Sequence, residues 1–184
     1  EYGQPRKTQF LFDAQEAEGE LEEHPDYAVH LFLTKEGYFK KVTPQSLRMS
    51  GEHKLKEGDE ILQHIESTAD AHLLFFTDHQ QVYKSFAYEF PDTKVSLMGN
   101  YVAGDLGFEE GERVVAMAVT KDYAGDMLFF FDNGRVSKVP LTAYETKTKR
   151  KKLANAYCAK FGLEAAFQIT EGQEFQITTT GRRV

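Results

Sequence analysis

The sequence predicts an all-β chain assembled from repeated antiparallel blades, and three observations carry that expectation. A strand–turn–strand phrase recurs, as LFLTKEGYFKK at 31–41, LFFTDHQQVYK at 74–84 and LFFFDNGRVSK at 128–138. Recurrence at long intervals is the signature of stacked or radial repeats. Aligned on their turns, the phrases Thr34–Gly37, Thr77–Gln80 and Phe131–Gly134 gain a fourth copy at Thr178–Gly181, and the turn ends recur every 43 to 54 residues. That loose period is near that of propeller blades, each a small antiparallel sheet. Finally, from Ala28 onward the chain consists of short runs rich in Val, Ile, Phe and Tyr, separated by Gly, Asp, Asn and Pro, which is the spacing of an all-β domain.

Taken in chain order, residues 13–26 (DAQEAEGELEEHPD) form a dense acidic run without apolar periodicity, so residues 1–27 are expected to be a solvated linker leading into a blade domain at 28–184. Each copy has hairpin chemistry: apolar residues enter, a Gly or Asn supplies positive φ at the turn, and a strand leaves. Gln80 is the weak copy. A second shared phrase, LKEGDEILQHI at 55–65 and FEEGERVVAMAV at 108–119, adds a Gly-acid turn and a buried strand, giving at least three strands per unit. Helix is scarce, with KRKKLANAYCAKFGL at 149–163 the best short candidate. The fourth copy runs out at TTTGRRV, before its blade is finished. The chain is therefore expected either to be truncated at its C-terminus or to exchange strands between blades.

Composition narrows the function classes. The chain has 184 residues, 41% of them hydrophobic, and a net charge of −7; it can build a core, and disorder is excluded as an overall description. Its longest apolar runs, such as MLFFF, are far shorter than the roughly 20 residues of a membrane helix, so no membrane span is expected. A single cysteine, Cys158, cannot close an intramolecular disulfide, and the N-terminus lacks a signal-like apolar stretch, which together point to a reducing cytoplasm. An acidic protein repels a duplex unless its positive charge is gathered on one face. Here the charge is segregated: residues 1–120 hold 11 Lys/Arg against 22 Asp/Glu, and 121–184 hold 11 against 7.

GYFKKVTPQSLR followed by LKEGDEIL and LLFFTDHQQVYK, then GERVVAMAV, LFFFDNGRVSKVPLTAYE and ITTTGRRV, resembles the C-terminal β-pinwheel domain of the A subunits of bacterial type IIA topoisomerases, DNA gyrase and topoisomerase IV. The opening EYGQPRKT is similar to the junction where those subunits leave their breakage-reunion part. The resemblance covers almost the whole chain. It implies a disc of four-stranded antiparallel blades, about four of them here, whose basic rim binds and bends duplex DNA without sequence preference and presents a segment for strand passage. It further implies a nucleoid-associated cytoplasmic protein whose partners are double-stranded DNA, the ATPase B subunit, and the breakage-reunion remainder of its own polypeptide. ATP and Mg belong only to that holoenzyme, and the catalytic tyrosine lies in another part of it. No cofactor is expected in this chain. One departure is visible: where gyrase carries a glutamine-, arginine- and glycine-rich basic box, this chain reads SLRMSGEHKLKEGD, with Arg48, Gly51, Lys54 and Lys56 but no such box. That shortened segment resembles topoisomerase IV more than gyrase.

The candidate DNA-binding residues fall into three groups. The fourth residue after each turn is basic in three copies, Lys41, Lys84 and Lys138, with Lys40 and Arg48 nearby; one location on successive blades would meet phosphates at intervals. Lysine at a strand end can equally protect or solvate a sheet edge. The run KTKRKK places Lys147, Lys149, Arg150, Lys151 and Lys152 within six residues, the strongest local signal, because backbone-directed binding asks for little else. Arg135, Arg182 and Arg183 extend the patch if the blades adjoin. Six histidines, at 24, 30, 53, 64, 72 and 79, form no HxH or HxxxH pair, and no metal centre is expected from them. Asp59, Glu60 and Glu112 recur in the same turn, which fits a structural role better than acid–base catalysis, and no phosphate-binding glycine loop is present. The five phenylalanines Phe75, Phe76, Phe129, Phe130 and Phe131 are expected in the core. The competing function is an acidic propeller-type interaction module that docks a basic partner and never meets DNA.

Overall fold

The computed structural model describes residues 26–49, 52–146, 150–158, 160–170 and 172–173. The expected linker lies outside these except for its last two residues, as does the fourth turn copy at Thr178–Gly181. Three hairpins repeat: β1 (Ala28–Thr34) with β2 (Tyr38–Val42), β4 (His72–Thr77) with β5 (Gln81–Phe86), and β8 (Asp126–Phe131) with β9 (Val136–Pro140). Their registers are equivalent, pairing Leu31 with Lys41, Leu74 with Lys84 and Leu128 with Lys138. Left-handed backbone closes each turn, at Gly37 (φ 85°), Gln80 (φ 55°) and Gly134 (φ 75°). A non-glycine residue is uncommon there, and Gln80 is held by its own side chain, whose Nε2 donates to the Asp78 carbonyl at 3.0 Å.

A further strand flanks the first strand of each hairpin: β3 (Ile61–Thr68) beside β1, β7 (Val114–Thr120) beside β4, and β11 (Leu163–Ile169) beside β8. These three are the inner strands, and β7 lies against both β3 and β11. The outer strands come from further along the chain. β6 (Asn100–Tyr101) follows the second hairpin yet pairs with β2 of the first blade, and β10 (Lys152–Ala154) follows the third hairpin yet pairs with β5 of the second. The sheet orders are β3-β1-β2-β6, β10-β5-β4-β7 and, among the described residues, a three-stranded β11-β8-β9. Strands therefore do exchange between neighbouring blades.

Two hydrophobic layers lie between the blades. Leu73 and Phe75 of β4 join Leu31, Leu33, Phe39, Met117 and Val119 in one, while Leu74 and Phe76 join Val82, Ala118, Met127, Phe129 and Phe131 in the other. A central strand covered on both faces needs an unbroken apolar run rather than alternation, which is why HLLFF occurs in the middle blade. Four of the five expected phenylalanines are buried and Phe130 is half-buried.

Among the described residues two short α-helices interrupt the sheets, α1 (Pro44–Met49) and α2 (Val102–Leu106), the latter ended by Gly107 at φ 67°. The helix expected at 149–163 is not formed among the described residues of that span, 150–158 and 160–163. Those residues include β10, a turn through Asn155 (φ 57°) and the start of β11. The helix-like spacing of Leu153, Ala156, Tyr157 and Phe161 arises because all four pack on the second core layer. Long-range hydrogen bonds fix this course: the Tyr157 hydroxyl donates to the Thr77 carbonyl at 2.6 Å and the Ala156 N–H to the Gln80 carbonyl at 2.8 Å. Tertiary contacts override local propensity here.

Candidate nucleic-acid interface

Position in the blade decides which cations can reach a ligand. Lys41, Lys84 and Lys138 occupy one register position on successive blades, but their surroundings differ. Lys41 is 3% exposed, with its ammonium 3.1 Å from Asp92 and over the Tyr27 ring. Lys84 is half-buried; its ammonium donates to the Thr146 hydroxyl at 2.9 Å and lies over the Tyr123 ring. Burial lowers the Lys84 pKa, partly offset by Glu145. Lys138 alone is exposed, 3.0 Å from Asp126.

Lys40 is fully buried. It donates to the Lys54 carbonyl at 2.6 Å and to the Val95 carbonyl at 3.3 Å, and burial lowers its pKa despite the nearby Asp59. Lys40 and Lys41 thus correct the sequence expectation: they are interior cations that tie loops to the first blade, and neither faces the rim. Alternation along β2 does not separate them, because the 91–95 loop covers this blade where the third blade leaves β9 open to solvent.

The described part of the basic run, 150–152, lies elsewhere in the fold. Lys152 begins β10, the outermost strand of the second blade, and Arg150 and Lys151 precede it along the same edge. The Lys84 N–H donates to the Lys151 carbonyl at 2.7 Å, anchoring that approach. Arg150 is exposed and, among the described residues, makes no ion pair. Lys151 is 71% exposed and 3.0 Å from Glu89; Lys152 is 2.6 Å from Glu109 and lies over the Tyr83 ring. Burial alone would raise the Glu89 carboxyl, but hydrogen bonds from Ser85, Lys151 and the Phe86 N–H outweigh it and hold the pKa below its usual range. The hydrogen bond to Lys152, with a further one from Gln81, depresses Glu109 likewise.

Arg48 is exposed on α1, and Arg135 is exposed beside the third turn with its guanidinium over the Phe161 ring. Lys147, Lys149, Arg182 and Arg183 lie outside the described residues. The segment that stands where a basic box would be is occupied internally: α1 takes Arg48, the Lys54 carbonyl accepts from Lys40, and Lys56 pairs with Glu36 at 3.3 Å.

Counter-charges are the feature that sequence reasoning missed. Glu89, Glu109, Asp126 and Asp92 each neutralise one candidate lysine, and the first two are 62 and 43 residues away from their partners. Only the strand exchange brings them together. The recurring turn carboxylates have structural work: Asp59 accepts the N–H groups of Glu36 and Glu60 at 3.0 and 2.8 Å, and buried Glu112 accepts from Thr77, from the Tyr83 hydroxyl at 2.8 Å and from the Glu109 N–H at 2.8 Å.

No protein-family model matches the chain. The A subunit of DNA gyrase from Streptomyces coelicolor is 30% identical over 155 residues, covering 79% of this chain and 18% of that protein. The A subunit of DNA topoisomerase 4 from Bacillus subtilis is 27% identical over 129 residues, covering 68% and 16%. The chain thus spans less than a fifth of the length of these relatives. Among solved structures, the C-terminal domain of DNA topoisomerase IV superposes with a TM-score of 0.68 at 23% identity, covering 78% of this chain and 46% of that one. The E. coli ParC C-terminal domain gives 0.58 at 15% identity, covering 77% and 56%.

Proposed function

We propose, for a chain whose relatives are the A subunits of DNA gyrase and topoisomerase IV and whose fold is the β-pinwheel of their C-terminal domains, that its outer edge binds duplex DNA without sequence preference and bends it. The observation that supports this reading is that Lys152 begins the outermost strand of the second blade, with Arg150 and Lys151 immediately before it. Lys147 and Lys149 adjoin them in sequence, and Lys138 and Arg135 lie on the next blade. Cations on an outer edge neutralise phosphates on one side of a duplex, and contacts on successive blades favour curvature. Smooth bending of a 20–30 base-pair site costs roughly 1–6 kcal/mol, an amount that several phosphate contacts can offset. The bent segment would be delivered for strand passage by a type IIA topoisomerase. Its partners there would be the breakage-reunion part of the same polypeptide and the ATPase B subunit, with ATP and Mg used elsewhere in that assembly.

The test is fluorescence anisotropy with an end-labelled duplex of about 30 base pairs over a range of salt. Replacing Arg150, Lys151 and Lys152 together by Gln should weaken binding equally for unrelated sequences and flatten the log–log salt slope by roughly 0.9 per phosphate contact removed. Lys41→Gln, an interior change, should leave the affinity of the folded protein unaltered. Unchanged affinity and slope in the triple variant would remove the interface from β10. The excess of 22 Asp/Glu over 11 Lys/Arg in residues 1–120 supports a second reading, an interaction module that docks a basic partner. Failure of the parent chain to bind duplex DNA at any moderate salt would select it.

A further inference from the structure

We propose that His30, His64 and Glu66 form a binding site for a zinc-class divalent cation on the face of the first blade. β1 and β3 bring them together. His30 is directly opposite Glu66 in the register and His64 is opposite Phe32, so all three side chains leave one face of the antiparallel pair. His30 Nδ1 and His64 Nε2 lie 3.1 Å apart, His30 Nδ1 and Glu66 Oε1 lie 3.7 Å apart, and the donor atoms of all three lie within 4.8 Å of one another.

These distances fit a tetrahedral ion. Zn²⁺ binds imidazole nitrogen at about 2.0–2.1 Å and carboxylate oxygen at about 2.0–2.2 Å, which puts neighbouring donors roughly 3.3 Å apart. The separations of 3.1 and 3.7 Å lie on either side of that value. Two imidazoles and one carboxylate are a borderline-soft donor set that suits Zn²⁺, Ni²⁺ or Cu²⁺ and disfavours Mg²⁺ or Ca²⁺, which require oxygen ligands.

Preorganisation is visible in the histidines. His30 is largely buried, its side chain 16% exposed. The His64 ring stacks on Phe32 with centroids 4.2 Å apart and planes 8° from parallel, which fixes the direction of Nε2. Glu66 is 76% exposed and has room to close on an ion, while water can take the remaining position from the solvent side. A second cluster, His79, Glu109 and Glu112, is a weaker candidate. Glu112 is already committed to Thr77, Tyr83 and the Glu109 N–H, and Glu109 to Lys152.

The ion would join the inner strand of the first blade to its neighbour, so its effect is stabilisation of that blade. Spacing along the chain hides the site, because the two histidines are 34 residues apart and meet only through strand pairing.

The experiment is calorimetric titration of the purified chain with ZnCl₂, accompanied by thermal unfolding and by the visible absorption of the Co²⁺-loaded protein. One Zn²⁺ should bind per chain, raise Tm in a concentration-dependent way, and give Co²⁺ bands of tetrahedral intensity. Losing an outer-shell partner alone typically costs about 10- to 100-fold in metal affinity. His30→Gln and His64→Gln should therefore each weaken Zn²⁺ binding at least about tenfold, and His79→Gln should leave it unchanged. His64 is exposed, so its variant should retain the circular dichroism of the parent. The Co²⁺ spectrum reports the site without any variant. Absence of saturable binding overturns the proposal, as does binding undiminished in His30→Gln and His64→Gln or lost only in His79→Gln.

Discussion

Glu112 shows how a recurring sequence position can differ in consequence from blade to blade. It is 4% exposed and accepts three hydrogen bonds, whereas its counterpart Asp59 is half-buried and accepts two backbone N–H groups. A hydrogen bond to a charged group contributes about 1.5–3 kcal/mol, and a buried donor left unpaired costs more than an exposed one. Glu112→Ala should therefore destabilise by at least about 2 kcal/mol in urea unfolding, and Asp59→Ala by clearly less. Two histidines set the pH response. Burial first, and then the charge of Lys40 beside His53 and of Lys84 beside His72, lower both pKa values below the ordinary 6.5. A group depressed in the folded state binds fewer protons there than when unfolded. Its stabilising contribution is complete above about pH 6.5 and is lost as pH falls through the depressed folded value. Urea midpoints measured between about pH 7.5 and 5 should fall, and His72→Asn should flatten the decline. The sequence made the identity and periodicity of Lys41, Lys84 and Lys138 legible. Their exposure was not legible, because it depends on Asp92, Thr146 and Asp126, which reach them through folding.

At the scale of elements, the inner strands are joined by glutamine side chains that imitate a backbone. The Met117 N–H donates to Gln63 Oε1 at 2.6 Å while Gln63 Nε2 donates to the Met117 carbonyl at 3.0 Å. Gln168 makes the same reciprocal pair with Val119 at 2.9 and 2.9 Å. β7 is thereby bonded to β3 on one side and to β11 on the other, where no ladder could run. Gln168→Ala leaves a donor and an acceptor of Val119 unpaired, and each such loss costs about 1–3 kcal/mol when buried. Faster hydrogen exchange at the Val119 amide, with lower overall stability, is the expected result; protection equal to that of the parent would show that the bridge contributes nothing. The hairpins were legible because local chemistry defines them: apolar strands enter, and a left-handed residue closes the turn. β10 was illegible for the opposite reason. Its three residues have no strand pattern of their own and become a strand only because β5 offers an open edge, while the apolar spacing through Leu153, Ala156, Tyr157 and Phe161 imitates a helix.

Across the whole molecule, repetition in sequence does not produce independence in folding. Repeat arrays whose units contact only their neighbours can unfold piecemeal, but here each of the first two blades lacks its outer strand until the chain has passed through the next one. One cooperative transition is therefore expected, with β5 and β9 losing amide protection together; distinct unfolding of the second and third blades in hydrogen exchange would contradict it. The blade repeat and the acidic-to-basic gradient were readable from the sequence; strand exchange is seen in the first two blades through β6 and β10, while the fourth copy, which raised the choice between truncation and exchange, lies outside the described residues. The same connectivity has a consequence in time. Val42 ends β2 and the strand that pairs with its Tyr38 and Phe39 begins at Asn100, so a ribosome working at about 5–20 residues per second leaves that part of the edge bare for roughly 3–12 s. Each of the first two blades emerges unfinished and waits for its successor, so during their synthesis the growing domain carries a raw edge, and that edge is where a chaperone or a second nascent chain would meet it.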